Sequence, residues 1–126
     1  MTTTRPSTKA LGDAAEARAL AHLTAGGLVL VRRNYRVARG PRQRGGEVDL
    51  VMRAADGTLV FVEVRSRGDG RFGGAAATVQ AAKQRSLVLA ARHFLRQLAT
   101  PPPCRFDVVA VDGESIEWLQ AAFDAG

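Results

Sequence analysis

Apolar and charged residues alternate with a period of two in two consecutive runs between Glu47 and Arg65, and a short turn separates the runs. In the first, Val48, Leu50 and Met52 alternate with Glu47, Asp49 and Arg53. In the second, Val60, Val62 and Val64 alternate with Phe61, Glu63 and Arg65. This is the pattern of half-buried β-strands. Ala55-Asp56-Gly57 between them suits a three-residue hairpin loop with glycine at the left-handed position. Such a loop pairs Ala54 with Thr58, and that register sets Asp49 opposite Glu63 and Glu47 opposite Arg65. Opposed residues of an antiparallel pair share a face. One face of the hairpin is then expected to carry three carboxylates and a guanidinium, with the valines packed on the other.

Neighbouring carboxylates repel unless a cation lies between them. An oxygen-rich cluster suits Mg²⁺ or Mn²⁺, and such an ion activates water and neutralises a phosphate under attack. A solvated polar face, with Arg65 neutralising Glu47 and no metal, accounts for the same pattern. A register slip of one residue would disperse the cluster.

Residues 1–7 read as a disordered arm, and 8–126 as a single domain long enough to build its own core. A helix is expected from near Thr8 to the stop at Gly26-Gly27. Its apolar face holds Gly12, Ala19, Leu20 and Leu23, and Glu16 lies on that same face. A carboxylate there either pairs with an arginine or reaches the hairpin as a further acidic group. Leu28–Val37 reads as a strand. Ala75–Leu98 reads as a second helix with a candidate N-cap at Thr78. Its buried stripe is Leu87, Ala90, Ala91, Phe94 and Leu98, and Gln80 and Lys83 begin that stripe, aimed at the same cleft or simply capping the helix. Pro101-Pro102-Pro103 ends it. Arg105–Asp112 is a strand, and Ser115–Leu119 a short last strand that buries Trp118. The expected fold is α/β: a mixed sheet with flanking helices, three-layer-like, in the order α-β-β-β-α-β-β, with a parallel crossover through the second helix.

The net charge is +6 and the sequence pI about 11.0. That balance favours a polyanionic partner, nucleic acid above all. Arg32, Arg33, Arg36, Arg39, Arg42 and Arg44 fall within 13 residues just before the hairpin. They form either a loop that grips a phosphate backbone or a solubilising segment. Arg67 and Arg71 lie in a glycine-rich stretch beyond the hairpin. No glycine pattern of a nucleotide-binding loop occurs, so no nucleotide cofactor is expected. No run of about 18 apolar residues exists, so no membrane span is expected. Cys104 is the sole cysteine, which excludes an internal disulfide and fits a cytoplasmic chain. His22 and His93 have no metal-ligand spacing.

Asp49, a gap of 13 residues, and Glu63-Val64-Arg65 together resemble the PD-(D/E)xK signature of the restriction-endonuclease-like nucleases. More narrowly, Gly45-Gly46-Glu47-Val48-Asp49-Leu50 and Val60 through Arg67 resemble the bacterial YraN family. Gly12…Glu16, Lys83 and Arg105-Phe106-Asp107-Val108-Val109 extend the likeness over roughly residues 10–123. The resemblance implies a restriction-endonuclease-like core, shared with the Holliday-junction resolvases. It implies an endonuclease dependent on Mg²⁺ or Mn²⁺ that acts on DNA rather than RNA, branched DNA included, as a homodimer. By position, Asp49, Glu63, Arg65 and Glu16 would be catalytic. Asp49, Glu63 and the Val64 carbonyl would hold the metal, while the arginines named above, with Gln80 and Lys83, would contact nucleic acid. Arg65 departs from the superfamily lysine. Arginine stays protonated and cannot act as a base. A nucleic-acid-binding module without catalysis, or a subunit of a DNA-processing complex, is the alternative.

Overall fold

The structure, a computed structural model, describes residues 7–41, 44–66 and 79–125. Helix α1 spans Thr8–Ala25. Ser7 caps it, its Oγ accepting from the Ala10 N–H at 3.0 Å, so Ser7 belongs to the helix and not to an arm. The N–H of Gly26 donates back to His22 O at 3.0 Å and closes the far end. The buried face of α1 is Ala15, Glu16, Ala19 and Leu23. Gly12, expected on that face, is exposed instead.

Five strands follow the expected order around one further helix: β1 (Val29–Val37), β2 (Gly46–Arg53), β3 (Leu59–Ser66), α2 (Ala81–Arg96), β4 (Cys104–Asp112) and β5 (Ser115–Phe123). They form one sheet in sequential order. Neighbours are antiparallel except β3 and β4, which are parallel because α2 carries the chain across between them. The mixed α/β sheet in this order is consistent with a restriction-endonuclease-like core.

The two helices cover opposite faces. Tyr35, Val51, Phe61, Leu87, Ala90, Phe94 and Phe106 pack together on the α2 side. Ala15, Ala19, Leu23, Leu50, Met52, Val60, Val62 and Val109 pack on the α1 side. The hairpin strands are therefore buried on both faces, not half-buried as their alternation suggested.

Two element ends differ from expectation. Gln80 is extended, with φ −62° and ψ 151°, so α2 begins at Ala81; the proposed cap Thr78 lies outside the described residues. Strand β5 runs on to Phe123, and Asp107 on β4 explains its length. Asp107 is fully buried. It accepts from Arg105 at 3.1 Å, from the Trp118 indole N–H at 2.9 Å and from the Ala121 N–H at 2.9 Å. These bonds pin the distal half of β5 across a register shift between Phe106 and Val108. Trp118 is consequently half-buried beside a carboxylate.

Candidate active site

The hairpin register is the expected one. Leu50, Val51, Met52 and Arg53 pair with Val62, Phe61, Val60 and Leu59. The Ala54 N–H donates to Thr58 O at 2.9 Å, and Gly57 takes the left-handed position at φ 91°. The ladder then stops at Leu50 and Val62. One step further the Asp49 side chain enters the gap, its Oδ2 accepting the Val64 N–H at 2.8 Å. Beyond that point β2 stays paired with β1 as far as Gly46, and β3 with β4 as far as Ser66. The strands thus part company, and Asp49 sits at the apex of the opening.

The cause lies on β1. Val48 packs with the α2-side cluster, whereas Leu50 and Met52 pack with the α1-side cluster. Residues two apart in a regular strand share a face, so the alternation breaks at Asp49. Across from it, between the pairs Arg33–Leu50 and Tyr35–Val48, stands Asn34 with φ 50°. Asparagine tolerates this left-handed conformation better than most residues. Glu16 reaches down from α1 and accepts from Asn34 Nδ2 at 3.2 Å and from Arg33 Nη2 at 3.2 Å. Glu16 therefore holds the kinked segment of β1. It does not join the hairpin carboxylates: among the described residues, no three Asp, Glu, His or Cys side chains gather closely enough to hold a metal ion.

Glu63 is 5% exposed in its side chain. Burial pushes its pKa up, the neighbouring Asp49 carboxyl pushes it further, and Lys83 offsets these only partly, leaving it at about 9. Lys83 Nζ lies 3.4 Å from Glu63 Oε2 and 3.3 Å from Glu47 Oε1. Burial lowers the lysine's pKa, but Glu63, Glu47 and Asp49 outweigh it and hold it above the ordinary value. Glu47 also pairs with Arg36 at 3.5 Å. The expected opposition of Glu47 and Arg65 does not form, because the ladder ends first. Glu47 faces Arg36 on β1, and Arg65 faces Ala110 on β4.

Glycine brings α2 close enough for these contacts. A Cβ on Gly46 would lie 2.5 Å from Ser86 O and 2.8 Å from Ala90 N, so a side chain there would collide with the helix backbone. The close approach lets the Glu47 N–H donate to Ser86 Oγ at 3.1 Å and brings Lys83 over the carboxylates.

A cavity of about 380 Å³ opens onto this cluster, lined by Glu63, Val64, Arg65, Ser66, Val79, Gln80 and Lys83. Structure thus gathers Asp49, Glu63, Val64, Arg65, Gln80 and Lys83. The arginine run is dispersed. Arg33 and Arg36 are paired with Glu16 and Glu47, and Arg32 lies over the Tyr35 ring at 5.3 Å. Arg39 and Arg44 line a different groove. Arg42, Arg67 and Arg71 lie outside the described residues. Asn34 and Ser86 belong to no motif in the sequence. Asparagine within an otherwise strand-forming run was the available signal for the first; for Ser86 there was none.

Residues 15–111 match the profile of "Uncharacterised protein family UPF0102". The UPF0102 protein of Methylibium petroleiphilum is 66% identical over 119 residues, covering 94% of this chain and 98% of the relative. That of Paracidovorax citrulli is 59% identical over 122 residues, covering 97% and 88%. That of Cupriavidus taiwanensis is 62% identical over 123 residues, covering 98% and 89%. Among the described residues no helix is long and apolar enough to cross a membrane.

Proposed function

The chain belongs to the UPF0102 family, the YraN family, and we propose that it is a divalent-metal-dependent endonuclease hydrolysing phosphodiester bonds in DNA. The observation that carries the reading is the parting of β2 and β3. It leaves Asp49, bonded to the Val64 N–H, next to the buried Glu63 at a cavity with an ammonium in its wall. Two neighbouring carboxylates, one of them buried, form a donor set for which a cation and a proton compete. Mg²⁺ is commonly held by one or two carboxylates, with water and substrate phosphate completing its shell, and the open cavity leaves room for those. Asp49 and Glu63 fit such an ion and would hold it. When bound, the ion supplies Lewis acidity towards the phosphoryl group and the attacking water.

The chain's own groups divide the remaining work. The Val64 N–H fixes the orientation of Asp49. Lys83, its pKa raised by three carboxylates, stays an ammonium at neutral pH. It stabilises negative charge as it develops on the phosphoryl oxygens, and does not abstract the proton. Arg65 lines the same cavity and is likewise a fixed cation. Lys83 and Arg65 thus both supply fixed positive charge, and neither acts as the base. The first turn of α2, whose cap Gln80 lines the cavity, favours an anion there.

Cleavage of labelled duplex, flap, single-stranded and four-way-junction DNA with Mg²⁺ or Mn²⁺ tests the reading. Wild type should cut; Asp49→Ala and Glu63→Ala should not. Lys83→Ala should cut roughly a hundredfold more slowly. No cutting by wild type, or equal cutting by all variants, would leave nucleic-acid binding without hydrolysis, the alternative that arginine at position 65 favours.

A further inference from the structure

On the other side of the Glu47–Lys83 pair, α2 and the segment joining β1 to β2 enclose a second groove. Its volume is about 470 Å³, and Arg39, Arg44, Gly45, Ala82, Arg85, Ser86 and Leu89 line it. Three arginines line it and no carboxylate does. Among the described residues, Arg33, Arg36 and Arg105 each have an acidic partner, but no ion pair engages Arg39, Arg44 or Arg85. All three are exposed. Holding three like charges around one groove costs energy that an anion relieves. The planar guanidinium fork matches phosphate oxygens two at a time. Gly45 and Ala82 present no bulk between the arginines, so a phosphate can approach all three.

The position is informative. Ser86 also lines the adjoining crevice formed by Arg36, Val37, Ala38, Gly45, Gly46 and Glu47. Lys83, which bonds Glu47 and Glu63, precedes Ser86 by less than one helical turn, about 5 Å along the axis. The groove therefore lies next to the carboxylate cavity along α2, with Ser86 and Glu47 between the two.

We infer that Arg39, Arg44 and Arg85 form a second phosphate-binding site, which holds the backbone of a nucleic-acid strand flanking the bond at Asp49 and Glu63. The inference rests on the nucleic-acid part of the proposed function, not on cleavage. Arg85 is its sequence-silent member: it lies on α2, outside the arginine run, and only the fold brings it to Arg39 and Arg44. Contacts of this kind position a strand without reading its sequence.

The test is fluorescence anisotropy of labelled duplex and single-stranded DNA, measured over a range of salt concentrations without divalent cation. Wild type is compared with Arg39→Gln/Arg44→Gln/Arg85→Gln, with Arg53→Gln on the far end of β2 as a control. Each lost phosphate contact should flatten the slope of log K against log salt by about 0.9 for duplex and about 0.7 for single strands. The triple variant should thus lose about 2–3 units of slope for duplex, while the control keeps the wild-type slope. Circular dichroism establishes that the triple variant is folded. If it is not, the single Arg85→Gln variant is read in its place, with an expected loss of about 0.9. A wild-type slope in the Arg39, Arg44 and Arg85 variants, or a wild type that binds neither DNA, overturns the inference. A protein that binds through these arginines yet never cuts overturns the nuclease reading and leaves this site standing.

Discussion

Replacing Glu63 by glutamine should remove most of the pH dependence of stability between about pH 5 and about pH 8. In the folded chain Glu63 keeps its proton up to about pH 9, against an ordinary value of 4.5. Its carboxyl is buried against Asp49, and the unfolded chain has no such environment. Below the ordinary value both states are protonated and the group makes no difference. Above it the unfolded chain ionises while the folded chain does not, so stability is lost as pH rises, at up to about 1.4 kcal/mol per pH unit. The loss is complete once the folded-state value is passed. From about pH 5 to about pH 8 it amounts to about 4 kcal/mol, a large share of the 5–15 kcal/mol that holds a typical domain together. Glutamine keeps the size but never ionises. Urea unfolding followed by circular dichroism, in the presence of a chelator, gives the two pH profiles. Asp49 and Lys83 interact with Glu63, so the difference between the profiles reports the proton that this cluster holds. A difference that grows by about 4 kcal/mol across the range is the expected result. Parallel profiles, within about 1 kcal/mol, would refute the claim that Glu63 holds a proton in the folded chain.

Two further substitutions probe the parts that hold the site. Asp107→Ala should destabilise by about 3–5 kcal/mol in urea unfolding, because it strands the Arg105 guanidinium and the Trp118 and Ala121 N–H groups; a loss below about 1 kcal/mol would show that β5 does not depend on it. Gly46→Ala places a methyl group 2.5 Å from the Ser86 carbonyl. It should cost about 1–3 kcal/mol and lower the cleavage rate by moving Lys83 off Glu63, whereas wild-type stability and rate would contradict the close approach.

Local chemistry made the hairpin legible. A period of two and a glycine at the left-handed loop position fix a register, and each residue from Leu50 to Arg53 meets its expected partner. The same logic failed one residue further on. Where the ladder ends depends on Asn34 in the neighbouring strand and on Glu16 in a helix that packs from the other face, and no local pattern encodes either contact. Glu16 stands out as a polar group on an apolar helix face, and of its two expected roles the structure shows the pairing with an arginine, Arg33, together with Asn34 of the kinked strand. Charge counting does not separate the arginines of the run: packing pairs Arg33 with Glu16 and Arg36 with Glu47 and leaves Arg39 and Arg44 at a different groove. Lys83 was placed in the cleft by its position on the α2 stripe. The start of α2 was not, since helix propensity in an alanine-rich segment does not mark where the chain turns away from the sheet.

The most direct measurement is isothermal titration of the full chain with Mn²⁺ at about pH 7.5 in two buffers of different ionisation enthalpy, which counts the protons released as the ion binds. If Asp49 and Glu63 are a cation site that carries a proton at neutral pH, one ion should bind with release of about one proton, and Asp49→Ala should abolish both. Absence of Mn²⁺ binding at millimolar concentration, or the same binding and proton release in Asp49→Ala, would contradict the assignment of a metal-dependent nuclease site to these two carboxylates.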